Sequence, residues 1–457
     1  MPDLLPHFHW PAIARLANPL RRTMTVPIYP IAPEHTYREV FPFLLRLYRR
    51  ILQTRNPNYV AFRGDSAGGG IAFALRDAGL RYAGGDPLGA PLLSPSVAPA
   101  AFHDIRVRNY ETDLSTCRIP LADLLDPAGV SHIPAVVVGI DAAARRVRTA
   151  DGQTYEYDRL VLASGSQVAK PDLPGLQEFG FDVDTYEGAV RLQCHLQQVA
   201  DGPPAAAAAT VVVVGAGLTG IETACELPAR LAKLFAHSAV VPRVVLVDHN
   251  PVVGSDMGAS ARPVIEEALS EVGVETRTAV GVTAVTEAGV ALSSGELLEA
   301  ATVVWCAGMR ANSLAEQLPV HRDRLGRVEV DDYLRVVGVP EIFAAGDVAA
   351  AQIDDDHVSV MSCQHGRPMG RYAGYNVISD LFGEPLLALR IPWYVTVLDL
   401  GPAGAVYTEG WDRMVVSRGA KAKATKQNIN TERIYPPLTR DRADLLAAAA
   451  PDLQDRP

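Results

Sequence analysis

Four short stretches of the chain bring together residues whose types and spacing suit chemistry. Ser66 sits in the frame Gly64-Asp65-Ser66-Ala67-Gly68, after an apolar run and before an Ala/Leu-rich helical pattern. That is the context of a nucleophile elbow, where a serine hydroxyl stands on a sharp strand-to-helix turn. Gly215-Ala216-Gly217-Leu218-Thr219-Gly220 fits G-x-G-x-x-G directly after four valines and opens a helix. Such glycines allow a tight turn and close backbone approach, so a pyrophosphate can rest on the helix N-terminus. Gly346-Asp347 ends the apolar run Phe343–Ala345. Cys363, Gln364 and His365 place a thiol, an amide and an imidazole side by side.

Two acids extend the second stretch. Asp248 ends the next apolar run, 248 − 220 = 28 residues past the last glycine, with "LFAHSAVVPR" lengthening the connection. An acid there accepts from ribose hydroxyls and repels a 2′-phosphate, which favours NADH over NADPH. Glu222 lies two positions past Gly220 on the first helical turn. It either complements the helix dipole or contacts the nicotinamide ribose.

The elements that must position these residues are short Val-rich strands alternating with helices, the pattern of parallel α/β sheets. "TVVVVGAGLTGIETACELPARL" (210–231) reads as strand, turn and helix, and "RVVLVD" (243–248) as the next strand. "YDRLVLASGS" (157–166), "ATVVWCAGMR" (301–310) and "EIFAAGDVAA" (341–350) are further strand-then-turn units, placing Gly165, Gly308 and Gly346 at strand ends. The Gly-Pro-Pro-polyalanine stretch 202–209 is a connector. From about 385 the strands become shorter and richer in aromatics, which predicts a C-terminal mixed α+β layer. The last twenty residues read as a short helix and a frayed tail.

Composition narrows the partners. At 457 residues the chain has room for two to three domains. Its formal net charge of −10 opposes binding to nucleic acid, and the short basic cluster Lys421–Lys426 reads as a solvated loop. Five scattered cysteines form no C-x-x-C and no metal-ligand spacing, the usage of a reduced cytoplasmic protein. Neither a signal-peptide pattern nor a run of about 18 apolar residues is found, so peripheral membrane contact is the most that is expected.

In order along the chain stand "VRNYE" (107–111), "YDRLVLASGS", "VVVVGAGLTGIE" and "FAAGDVAA". With these motifs residues 92–457 resemble FAD-dependent pyridine nucleotide-disulfide-type oxidoreductases of the type II NADH dehydrogenase group. The resemblance implies two Rossmann-like domains, the NADH-binding one inserted in the FAD-binding one. It also implies hydride transfer from NADH to the flavin and electrons leaving to a small-molecule acceptor. It assigns Gly215, Gly217, Gly220, Glu222 and Asp248 to NADH, and Gly165, Gly308, Gly346 and Asp347 to FAD, with Asp347 on the ribityl chain. Cys363, Gln364 and His365 then face the flavin as the catalytic group. Two departures follow. Without C-x-x-C there is no disulfide-reductase chemistry. Pro368 and Met369 stand where the group has a glutamine pair, which speaks against quinone as the acceptor. A homodimer is a further expectation.

The N-terminal part carries a different signature. "FHWPAIARLA" (8–17), "TVPIYPIAPEHTYREVFPFLLRLYRRIL" (25–52) and "YVAFRGDSAGGGIAFALRDAGL" (59–80) resemble, in order, hormone-sensitive-lipase-like esterases of the α/β-hydrolase fold. The oxyanion segment, the triad acid and the triad histidine of that family are missing, so an esterase using Ser66 is the weaker alternative. A flavin-free, inactive NADH-binding fusion is the other. No G-x-G-x-x-G occurs in residues 1–110. Gly64, Ser66 and Gly69 do occupy its i, i+2 and i+5 positions, so residues 58–80 with the strand expected within 90–96 are a candidate first βαβ unit for FAD. The expected division is therefore 1–80 hydrolase-like, 81–185 and 301–384 FAD-binding, 186–300 NADH-binding and 385–457 C-terminal.

Overall fold

Runs of β-branched residues that are apolar at every position belong in a sheet covered on both faces, and such a run builds the centre of the molecule. In the computed structural model, residues 92–94, 100–102 and 118–457 are described. The chain divides into two units, 1–90 and 91–457. Ser66, Gly64 and Gly69 lie outside the described residues, as does the candidate unit 58–80.

Strands β1 (Leu92–Ser94) and β2 (His132–Pro134) pair in parallel. β1 is the strand expected within 90–96. A three-stranded antiparallel meander follows, β3 (Val137–Asp141), β4 (Arg146–Thr149) and β5 (Thr154–Glu156). It leads into β6 (Leu160–Leu162).

The inserted layer runs from β7 (Gly180–Phe181) through α1 (Tyr186–Ala200), β8 (Thr210–Val214), α2 (Leu218–Leu234), β9 (Arg243–Val247), α3 (Gly258–Glu271) and β10 (Val274–Arg277) to β11 (Thr302–Trp305). Its sheet order is β7-β11-β8-β9-β10, with all pairs parallel. The alternation along β8 shows why the run is uniformly apolar. Val211 and Val213 pack under Ile221, Leu227 and Leu231 of α2 and Ile265 of α3. Val212 and Val214 face the other way, against Val285, Val290 and Leu298 of an antiparallel three-stranded sheet over residues 282–299. Each fully buried valine contributes about 1.5–3 kcal/mol.

Beyond β11 the chain returns to pair β12 (Ile342–Ala344) in parallel with β6. It then enters α4 (Cys363–Phe382). The C-terminal layer is an antiparallel sheet of β13 (Val395–Asp399), β14 (Ala405–Glu409) and β15 (Met414–Gly419), followed by α5 (Ala420–Asn428). Leu398, Leu400 and Val406 of this layer join the core of the inserted one.

Two expectations are corrected here. The basic cluster 421–426 is no solvated loop: it belongs to α5, and Lys423 and Lys426 are drawn inward by buried acids. Nor is the end of the chain frayed throughout. After a helix at Arg442–Ala448, capped by Asp441, the tail is held by Arg367 Nη1 donating to Gln454 Oε1 (2.9 Å) and Tyr407 Oη donating to the Pro457 carbonyl (3.2 Å).

Candidate dinucleotide and flavin site

The first cradle is the turn between β8 and α2. Gly215 has φ +103°, and a Cβ there would lie 2.9 Å from Ala307 backbone atoms, so only glycine lets β11's exit pass. A Cβ on Gly220 would stand 1.7 Å from the Gly215 carbonyl oxygen, so glycine is required for the helix to close on the turn. Gly217, by contrast, faces open space. It begins α2 with no side-chain cap and no acid in the first turn. Bare backbone at a helix start with nothing competing for it is what a pyrophosphate needs. Asp248 is buried just after β9. Its Oδ2 accepts from Ala216 N (2.5 Å) and its Oδ1 from Asn250 N (2.7 Å), which fixes the carboxylate beside the turn while each oxygen keeps a second lone pair. The residues present fit NADH.

Glu222 has a different setting from the one its position suggested. It is buried, its Oε1 lies 2.6 Å from Lys426 Nζ, and it accepts from Asp399 N at 3.1 Å. Asp399, fully buried, holds Lys423 Nζ at 2.6 and 2.7 Å. Burial pushes the Asp399 carboxyl up, and the Lys423 ammonium opposes that shift. Nearby Cys225 is buried and its thiol pushed up, so it is inert. These paired charges join α2 to the C-terminal layer.

The second cradle lies at the carboxyl ends of β6 and β12. Asp347 Oδ2 accepts from Ser166 Oγ at 2.7 Å. Gly165 (φ +67°) and Gly346 (φ +76°) face open space. The first turn of α4 lies close by: a Cβ on Gly366 would be 3.5 Å from the Gly346 Cα. Ser164 Oγ, Ser362 Oγ and His365 Nε2 are buried and, among the described residues, have no hydrogen-bond partner. Buried polar atoms without partners are costly, and a polar ligand in this cradle relieves that cost. The residues present fit a flavin dinucleotide.

The structure separates the roles of the trio on α4. His365 is fully buried, and its Nδ1 accepts from Val360 N at 2.8 Å, which leaves Nε2 as the N–H donor. Burial holds its pKa down to about 4, so the ring is neutral at physiological pH. Gln364 spends both ends of its amide on Val395, at 3.0 and 3.2 Å, which fastens α4 to β13. Cys363 stands half-buried at the helix start. Met369 is buried in the core around β12. Beside His365, Tyr394 and Trp411 stack at 4.2 Å and Trp411 stacks on His357 at 4.1 Å.

One segment touches both cradles. The crossover after β11 passes Gly215 at Ala307. Its Ala169–Gly308 backbone bond (3.0 Å) and the bond from Asn312 N to the Gly165 carbonyl (3.0 Å) then reach the second cradle. Sequence reasoning named the glycines and both acids. It missed Ser164, Ser166, Ser362 and Lys426; Ser164 and Ser166 lie inside the "LASGS" motif and were open to assignment as strand-end hydroxyls.

Among the described residues no helix is long and apolar enough to cross a membrane. Comparison with known proteins gives the family and the fold. Residues 5–145 match the α/β-hydrolase fold, a span that runs past residue 80. An NADH dehydrogenase-like protein of Mycobacterium tuberculosis is 75% identical over 362 residues, covering 79% of this chain and 90% of that one. The type II NADH:quinone oxidoreductase Ndh of the same organism is 32% identical over 224 residues, 44% of this chain and 48% of that one. The structure of NDH2 from Plasmodium falciparum in complex with NADH shares the fold at TM-score 0.64 and 12% identity, covering 79% of this chain and 93% of that one. Residues 82–370 match the pyridine nucleotide-disulphide oxidoreductase family, and the chain belongs to it.

Proposed function

We propose that this protein is an FAD-dependent oxidoreductase that takes a hydride from NADH and passes electrons to a small quinone-type acceptor. The observation that carries the reading is the 306–312 crossover, which touches the NADH turn at Gly215 and the flavin cradle at Gly165. Bound FAD supplies a ring that accepts hydride and releases electrons singly or in pairs. The chain's own residues bind and orient. Gly217 and the α2 N-terminus hold the NADH pyrophosphate, and Asp248 accepts from its ribose. Asp347, aligned by Ser166, holds the ribityl chain. The His365 Nε2–H is a fixed neutral donor in the flavin cradle. The Glu222–Lys426 pair anchors the C-terminal layer against α2 and limits water there.

Domain labour follows in the same reading: 81–185 with 301–384 for FAD, 186–300 for NADH and 385–457 as the covering layer. The names of the type II relatives support a quinone acceptor, despite Pro368 and Met369. The same reading proposes a cytoplasmic homodimer with at most peripheral membrane contact and no nucleic-acid partner, the last consistent with its net charge of −10. The test is a visible spectrum of the purified protein followed by anaerobic NADH. Flavin bands that bleach are the expected result. A protein that stays colourless after reconstitution with FAD would overturn the reading.

A further inference from the structure

On α4, Cys363, Arg367 and Arg371 stand four residues apart and so form one row along the helix. The row begins on the turn that lies against Gly346 and climbs away from it. Arg367 is half-buried and donates from Nη1 only to a neutral amide oxygen, Gln454 Oε1, at 2.9 Å. Arg371 Nη1 donates to the Asp452 backbone carbonyl at 3.1 Å. Arg433 ends the π-helical turn Ile429–Arg433, and its Nη2 is buried with no hydrogen-bond partner among the described residues. Burial first, then Arg371, push the Arg367 guanidinium down from its ordinary range; Cys363 opposes the shift and Arg433 adds to it.

These arginines are treated unlike others in the same region. Arg327, Arg335 and Arg390 each hold a carboxylate, at 2.7, 2.9 and 3.1 Å. Among the described residues, Arg367, Arg371 and Arg433 form no ion pair. Gathering three cations, one with a buried unsatisfied N–H, is unfavourable unless an anion joins them. The amide of Gln454 is a weak neutral acceptor, which a carboxylate, sulfonate or phosphate outcompetes as a charge-assisted partner.

We propose that Arg367, Arg371 and Arg433 recognise an anionic group on the electron acceptor, so that the enzyme prefers acidic quinones to neutral ones. The inference rests on the oxidoreductase reading and names the substrate class of that activity. Its position fits, since the row starts on the α4 turn beside the flavin cradle and rises about 5.4 Å per turn. An acceptor bound here has its charged end on the arginines and its reducible ring toward Cys363.

The test compares two acceptors on the full-length holoenzyme with NADH: neutral menadione and 1,4-naphthoquinone-2-sulfonate. The quantity read is the ratio of their kcat/KM values. Wild type is expected to favour the sulfonate, and Arg433→Gln and Arg367→Gln each to lower that preference about tenfold, the worth of one charge-assisted hydrogen bond. Arg433→Lys should restore part of it. Added KCl should erode the wild-type preference in parallel, a measurement that needs no variant. A ratio that stays within about twofold across the variants and the salt series would overturn the inference. So would binding to phosphatidylglycerol vesicles that is lost in Arg367→Gln while the ratio holds, because the arginines would then serve lipid. Anaerobic bleaching by NADH alone keeps the two claims apart. Bleaching without discrimination rejects only the acceptor class; no bleaching rejects the oxidoreductase reading.

Discussion

The inserted NADH layer and the flavin layer are built on one plan and differ in how many of their strands lie among the described residues. In the first, β8 carries the glycine turn and lies between β11 and β9 in a single parallel sheet of five strands. In the second, the described residues give two separate parallel pairs, β12–β6 and β1–β2. By correspondence, β12 and β6 match β7 and β11, while β1 and β2 match β9 and β10. The counterpart of β8 is the member without a described strand. It is also the element for which residues 1–110 offer no G-x-G-x-x-G. Phosphate binding in such folds depends on that one turn, whereas the ribityl contact depends on the opposite strand end. A chain can therefore keep Asp347, Gly346 and the start of α4 in order while its first flavin turn has a different sequence history.

The sharpest way to break the comparison is to disable one cradle at a time. Gly220→Ala puts a methyl 1.7 Å from the Gly215 carbonyl oxygen, so the NADH turn must open. The expected protein is yellow, with bleaching by NADH slowed by about two to three orders of magnitude, as when substrate alignment is lost. Asp347→Ala removes the acceptor of Ser166 and, in the proposed reading, that of the ribityl chain. About a hundredfold weaker FAD retention is expected from two charge-assisted bonds, with NADH binding measured by calorimetry intact. If each variant lost both ligands, the cradles would not be separable units.

The next effect concerns how the layers are joined. Lys426→Met leaves Glu222 buried without its cation, and about 3–5 kcal/mol of stability should be lost in urea unfolding. Lys426→Met with Glu222→Gln should recover most of it. This pair was illegible in the sequence for a physical reason. Its members are 204 residues apart, and a lysine-rich stretch looks the same whether water or a buried acid receives the charge. The strands were legible because β8, β9, β11 and β12 are short apolar runs each closed by a glycine or an acid, a local signal. The same contrast holds within the site: Gly215, Gly220 and Asp347 announce themselves by spacing, while Ser362 and Arg433 matter only through what surrounds them.

The flavin layer should also respond to pH through His365. His365 has its pKa lowered by burial to about 4, below an unfolded value near 6.5. The unfolded chain thus binds the extra proton first, and stability falls as pH drops from about 6.5 towards 4, then levels off. The loss is about 3 kcal/mol from this group. His365→Gln, which keeps an acceptor for Val360 N, should flatten that limb of the melting curve. An unchanged slope would mean that the ring already protonates in the fold.

The smallest expected effect tests the acid of the NADH layer. Asp248 is held by Ala216 N and Asn250 N, so its carboxylate cannot swing away from a 2′-phosphate. His249 beside it is exposed, with its Nδ1 3.6 Å from Asp248 Oδ1. Asp248→Ser should therefore lower the preference for NADH over NADPH about tenfold, mainly by relieving repulsion against NADPH. Adding His249→Arg should lower it further by offering the phosphate a bidentate partner. Steady-state KM values for the two nucleotides measure both steps. If Asp248→Ser weakened NADH and NADPH equally, the carboxylate would be bracing the Gly215–Gly217 turn rather than reading the ribose. The difference between the two layers would then lie in how each turn is braced, with no selectivity attached to it.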